Sequence, residues 1–197
     1  AIAVQFHVAV CIATWNCTAM AETRARLPEG SNGIAAAYPG DEGISSHGSV
    51  IFTEDFRVES VDALRERWDN VGSPETMSLS PDTPTGAGSS LLVTHVGGQG
   101  TGGQLYTRLP QGQGQVFART YVKFDPDCAN IHHFGTHLGG FNPPTPWPQG
   151  GAGIQPDGSK RFTTGIEPHG AEWAWDFYTY WQGMHVHGDG NYWGTPF

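Results

Sequence analysis

An all-β fold, two antiparallel sheets packed as a jelly-roll sandwich with a concave polar face, is what this sequence predicts. Three observations carry the prediction. The 197-residue chain holds 28 Gly and 14 Pro but only 15% charged residues, a balance that suits a loop-rich β protein better than a helical one. Short runs of β-branched and aromatic residues are separated by Gly/Pro loops, with almost no helical pattern between them. Three of those runs alternate so that each has one apolar and one polar face, as strands do when a sheet covers a core on one side and meets water on the other.

Taken in order, Ala1 to Ala21 is apolar, rich in small residues and ends Ala19-Met20-Ala21, the pattern of a secretory signal remnant with its cleavage site. An ordinary buried segment is the alternative. Asn16-Cys17-Thr18 is a formal glycosylation sequon inside that stretch. Residues 22–47 lack periodicity and read as a linker or N-terminal tail, which leaves 48–197 as the jelly-roll domain. Ser49 to Phe56 is a first strand. Ser60 to Trp68 is a short helix with Ser60 as its N-cap and Asp62 in the first turn. Thr76 to Ser80 and Ser90 to Val96 are strands; the glycine-rich Gly97 to Gly103 lacks nucleotide-loop spacing and is a plain turn.

The next strands carry the chemistry. Over Gln115 to Asp125, Val116, Ala118, Thr120, Val122 and Phe124 share one face, while Phe117, Arg119, Tyr121 and Lys123 share the other. Over Arg161 to Glu167, Phe162, Thr164 and Ile166 are expected inward, with Arg161, Thr163 and Glu167 opposite. Over Trp175 to Gln182, Trp175, Phe177, Thr179 and Trp181 are expected in a core. Asp176, Tyr178, Tyr180 and Gln182 are expected to line a wet groove, where tyrosines stack on or exchange protons with a polar ligand.

The net charge of −9 argues against nucleic-acid binding, which needs a basic footprint. It leaves room for an acidic polysaccharide in a locally basic groove. No stretch reaches the roughly 18–20 apolar residues of a membrane span. Cys11 and Cys17 fall in the signal-like stretch, leaving Cys128 alone: a free thiol, or one whose partner lies elsewhere.

Histidines cluster twice. Ile131 to Gly140 contains His132, His133 and His137; His185-Val-His187-Gly-Asp189 has the H-x-H spacing that suits a metal on a strand. The second resembles the opening of a metallo-β-lactamase signature, but Gly190 stands where the closing histidine belongs. Nor does the glutamate of a cupin follow it. Both clusters are read as hydrogen-bonding groove or loop histidines, with no metal assigned and no cofactor expected; a structural cation such as calcium is compatible with the chain.

In order, V-F-A-R-T-Y-V-K-F (116–124), H-H-F-G-T-H-L-G-G-F (132–141), R-F-T-T-G-I-E-P (161–168) and W-D-F-Y-T-Y-W (175–181) resemble the jelly-roll polysaccharide lyases of the alginate and glucuronan lyase type. The likeness is greatest to polysaccharide lyase family 14, with family 20 more distant, and it covers roughly residues 115–194. It implies a concanavalin-like jelly roll, secreted or periplasmic and monomeric, that cleaves a uronic-acid polymer by β-elimination. Arg119 falls on the family's strand arginine, Tyr178 and Tyr180 on its tyrosine pair, and His137 where the family has lysine. Thr163 lies near the family's serine, but Gly165 stands where its catalytic arginine is expected. Arg161 is placed to reach the same groove. Family members continue past the segment matched by Tyr192-Trp193-Gly194, so the resemblance also implies a C-terminally incomplete domain.

Elimination requires neutralising the uronate carboxylate, removing the C5 proton and protonating O4 as it departs. The resemblance implies Arg119 as the carboxylate binder, with Lys123 or Arg161 assisting. Tyr178 or Tyr180 serve as acid and base, and His137 or His133 is the alternative base. Tyr121, Thr163, His133, Asp176 and Gln182 complete the expected substrate contacts. A tyrosine acts as base near neutral pH only if cations lower its pKa from about 10.

Two rival readings stand beside this one. A lectin-like binding module would use Trp147, Trp173, Trp175, Trp181 or Trp193 as sugar platforms. A glycoside hydrolase would use a carboxylate pair such as Glu167 and Asp176. A purely structural extracellular domain is the remaining alternative.

Overall fold

The computed structural model describes residues 2–4, 9–12, 33–84, 86, 88–99, 102–109, 112–131, 133–143, 151–169 and 174–197. The regular elements among the described residues are short strands and single 3-10 turns, and every paired strand is antiparallel, so the fold is all-β. No described helix is long and apolar enough to cross a membrane. The chain forms two compact units, Ala1–Asp127 and Cys128–Phe197.

The first unit contains β1 (Ile2–Val4), β2 (Ala9–Ile12), β3 (Val50–Phe52), β4 (Asn70–Gly72), β5 (Met77–Ser80), β6 (Ser90–Val93), β7 (Gln104–Tyr106) and β8 (Val116–Arg119). They pair as β1-β6-β5, β3-β2-β8 and β4-β7. Two pieces of the signal-like stretch are thus strands: Ile2–Val4 pairs with β6, and Ala9–Ile12 lies between β3 and β8. Its Ala19-Met20-Ala21 end and the Asn16 sequon lie outside the described residues, as do His132, Trp147 and Trp173. From the expected linker, residues 33–47 carry three 3-10 turns, and Ile44 is buried there.

Alternation explains the buried set: Met77 on β5, Leu91 and Val93 on β6 and Val71 on β4 join Ile44, Phe56 and Leu64. The expected helix is instead one 3-10 turn, Asp62–Glu66, with Leu64 fully buried. Ser60 Oγ does accept a hydrogen bond from the Ala63 amide, at 3.3 Å. The first strand ends at Phe52 rather than Phe56, because Glu54 turns inward and captures the Phe56 amide at 2.8 Å. Phe56 itself takes a left-handed φ of 53°. Glu54 also accepts from Trp68 Nε1 at 2.9 Å and Arg67 Nη1 at 3.3 Å, so its carboxylate is buried but fully paired.

The second unit is built on β9 (Thr136–Phe141), β10 (Arg161–His169) and β11 (Ala174–Tyr180), with β10 in the middle. The C-terminal residues run along the outer edge of β11: Thr195 exchanges backbone hydrogen bonds with Thr179, and Phe177 donates to the Phe197 carbonyl. Register decides which side chains share a face. His137, Gly165 and Tyr178 form one rung across the three strands; Gly139, Thr163 and Tyr180 form the next; Glu167 stands opposite Asp176. Because facing residues point the same way, these groups and Arg161 lie on one surface of the sheet.

That surface is the better covered one, which reverses the expected burial. Phe162, Ile166, Trp175 and Phe177, read as core, are 44–52% exposed. Glu167, read as a groove residue, is 3% exposed. Thr179 is buried as expected. Period-two alternation sorts residues into two faces but does not say which face other segments cover. Here His133 packs against Tyr178, and Gly194 lies close against the Tyr178 ring, so both shield the polar face.

Candidate functional site

The second unit gathers seven of the eleven expected site residues. His133, His137, Arg161, Thr163, Asp176, Tyr178 and Tyr180 belong to the polar face of the β9–β10–β11 sheet or to the loop against it. Gln182 does not join them. It lies past the end of β11 in a turn, where its side chain sits against Gly158 and its carbonyl accepts from Gln155 Nε2 at 2.6 Å. Arg119, Tyr121 and Lys123 belong to the first unit. Arg119 forms an ion pair with Asp41 and stacks over the Tyr121 ring, 5.3 Å from its centroid, while Lys123 pairs with Asp82. Two of the three cations expected to bind a uronate carboxylate, Arg119 and Lys123, are therefore engaged by aspartates.

Glu167 is the residue whose part in the site sequence reasoning missed. Its carboxylate is buried, yet His133 Nδ1 lies 3.3 and 3.4 Å from its two oxygens, and His137 Nε2 lies 3.7 Å from one of them. Strand alternation had put Glu167 on the right face; the loop carrying His133 has no period that could bring it there. His133 takes a left-handed φ of 61°, a conformation that costs an L-residue about 1–2 kcal/mol and that loop contacts must hold.

Burial sets the proton affinities. Desolvation lowers the pKa of His133 below its usual value, and His137 is lowered by desolvation and by the charge of His133. Both imidazoles are therefore neutral near pH 7. Tyr178 moves the opposite way: desolvation first, then its hydrogen bond with Tyr180, raise its pKa far above 10, with a Gly194 backbone hydrogen bond opposing. Tyr178 is therefore protonated at neutral pH.

Aromatic contacts order the row. The His133 and Tyr178 rings are 5.0 Å apart and tilted, and the Tyr178 and Tyr180 rings are 5.6 Å apart edge to face. Arg161 then lies 5.2 Å over the Tyr180 ring and donates from Nη2 to the Ile154 carbonyl at 2.6 Å. Burial lowers its pKa, which Tyr180 partly offsets, but a guanidinium remains charged at neutral pH. Gly151, at φ +125°, makes room for this side chain: a Cβ there would overlap Nη1 of Arg161.

Gly165 has a similar explanation. The His137 ring lies directly over it, and a Cβ at that position would sit 2.4 Å from two ring atoms. The space where the resemblance expects an arginine is filled by His137. Asp176, facing Glu167 across the strands, has a buried Oδ1 with no hydrogen-bond partner among the described residues.

Near His185, the second histidine cluster is a turn: Asp189 accepts from the Asn191 amide at 3.0 Å and from Trp193 Nε1 at 2.8 Å. Those two bonds lower its pKa. Among the described residues, no group of three or more His, Cys, Asp or Glu is arranged to hold a metal ion. A neutral imidazole, a protonated phenol and a guanidinium in one row can remove a proton, supply one and hold an anion. No protein-family model, curated protein or solved structure matches this chain.

Proposed function

We propose that the protein is a secreted or periplasmic polysaccharide lyase that cleaves a uronic-acid polymer by β-elimination, its strands belonging to a concanavalin-like jelly roll. The observation that carries the reading is the row His133–Tyr178–Tyr180–Arg161, with neutral imidazole at one end and guanidinium at the other. Arg161 holds the uronate carboxylate, which makes the C5 proton more acidic and stabilises the enolate that forms when it leaves. An imidazole takes that proton. The electron pair forms the C4–C5 double bond, the C4–O4 bond breaks, and Tyr178 protonates the departing O4. A raised pKa suits Tyr178 to this task, because the group it must protonate is a sugar alkoxide, itself a strong base. The mechanism uses no resident cofactor, and the acting species is a monomer.

The test is the ultraviolet absorbance of unsaturated uronate on alginate, glucuronan and pectate in parallel. A rise on one polymer, falling roughly 10²–10⁴-fold in Tyr178→Phe, supports the reading. No rise on any of them from a protein with β-type circular dichroism sinks it.

A lectin-like module is the second reading, favoured by Trp175 and Phe177. They are half exposed on one face of β11, two residues apart, as a pair of sugar-stacking rings would be. Oligosaccharide binding lost in Trp175→Ala, without any unsaturated product, would support it.

A further inference from the structure

The elimination needs one base, and two histidines stand at the site. We infer that Glu167 chooses between them: it accepts a hydrogen bond from Nδ1 of His133, which leaves the lone pair of that ring on Nε2, the atom that takes the substrate proton. Glu167 is then a positioning residue and His133 the catalytic base. The catalytic consequence rests on the lyase reading; the assigned tautomer does not.

The geometry is asymmetric between the two rings. His133 Nδ1 reaches both carboxylate oxygens, at 3.3 and 3.4 Å. An ionised carboxylate only accepts, so the hydrogen belongs to Nδ1, and a neutral imidazole with Nδ1–H carries its lone pair on Nε2. Nδ1 points at a carboxylate that is 3% exposed, while the His133 side chain is 48% exposed. The opposite edge of the ring is therefore turned away from the buried anchor. His137 is held differently. Its Nε2 is 3.7 Å from Glu167, beyond hydrogen-bond length, and its Nδ1 edge lies over Gly165, in the space a side chain there would need. The side chains of the two histidines are similarly exposed, at 48 and 49%, so what separates them is the bond to Glu167: it fixes the His133 ring and leaves His137 without that anchor.

The backbone supports the assignment. His133 is the one of the pair in the left-handed region, a strained conformation that its loop holds. Among the described residues, the titratable and charged groups on this face are Glu167 and Asp176 on facing strands, His137 on β9, Tyr178 against its ring, and Tyr180 and Arg161 further along the row. Both oxygens of Glu167 lie within 3.5 Å of Nδ1 of His133.

The test is a long-range proton–nitrogen correlation spectrum of the full ¹⁵N-labelled chain at neutral pH, repeated for Glu167→Gln and Glu167→Asp. The expected result is an Nδ1–H tautomer for His133. In Glu167→Gln its titration midpoint falls, because the stabilising anion is gone, and elimination drops on the order of 10²-fold or more. Glu167→Asp restores part of both. His133→Gln abolishes elimination, whereas His137→Gln keeps at least a tenth of it. An Nε2–H tautomer in the wild-type chain, as a protonated Glu167 sharing its hydrogen with Asp176 would give, overturns the assignment. So does an unchanged His133 midpoint in Glu167→Gln. The expected tautomer and midpoint shift, with no elimination on any uronate polymer, would overturn the lyase reading and the catalytic role while leaving the Glu167–His133 contact in force.

Discussion

His133 and His137 are the residues whose environment makes the sharpest solution prediction. Both have folded-state pKa values depressed below the usual 6.5, so the unfolded chain binds protons more readily as pH falls. Their contribution to stability is therefore fully present above about pH 6.5 and is lost as pH drops through the folded values. Thermal denaturation should show a midpoint that declines on acidification below pH 6.5, with a shallower decline in the double variant His133→Asn/His137→Asn. Gly165 makes a second prediction at this scale. Gly165→Arg inserts the residue that the resemblance expects, but the His137 ring fills that space. The variant should lose about 1–3 kcal/mol of stability by chemical denaturation, as overpacked sites do, and gain no activity. A stable Gly165→Arg protein with raised elimination would show that His137 yields easily.

Between residues and the molecule, the elements hold together through a few buried polar anchors. Glu54 joins the end of β3 to the segment after the 3-10 turn, accepting from the Phe56 amide, Trp68 and Arg67, while Phe52 and Trp68 meet edge to face at 4.9 Å. Removing the carboxylate leaves two buried or half-buried donors and a guanidinium without their acceptor. Glu54→Ala should cost about 1–3 kcal/mol, measured by denaturant unfolding, because it strands the buried Phe56 amide while Arg67 keeps solvent and the Thr53 carbonyl; Asp62→Ala should cost under about 1 kcal/mol because its ion pair with Arg65 is exposed. In the second unit β10 and β11 were legible from alternation, and so were the faces to which Arg161, Thr163, Tyr178 and Tyr180 belong; β9, whose segment was read only for its histidines, was not. The 3-10 turn was not read correctly. Ser-Val-Asp-Ala-Leu-Arg-Glu-Arg-Trp carries helix formers throughout, but Trp68 and Arg67 are drawn to Glu54, and a tighter turn places them there.

Seen whole, the molecule has an apolar surface that its sequence assigned to a core. Phe162, Ile166, Trp175 and Phe177 stand half exposed on one face of the second unit's sheet. Contiguous patches of this kind bind hydrophobic dyes and promote association. Replacing Phe177 and Phe162 with Thr should lower dye fluorescence and light scattering at high protein concentration while leaving the site on the opposite face in place. An unchanged dye signal would mean that the patch is covered in solution. The sequence by itself determined the all-β class, the strand alternation and the row of polar groups on β10 and β11, because those follow from a two-residue period that neighbouring residues impose. It did not determine which face is covered, that His137 rather than an arginine occupies the space above Gly165, or that Glu167 meets His133 from 34 residues away. Those depend on where non-periodic loops come to rest, and tertiary packing alone decides it: a buried carboxylate lowers its free energy by meeting a donor, wherever in the chain that donor lies.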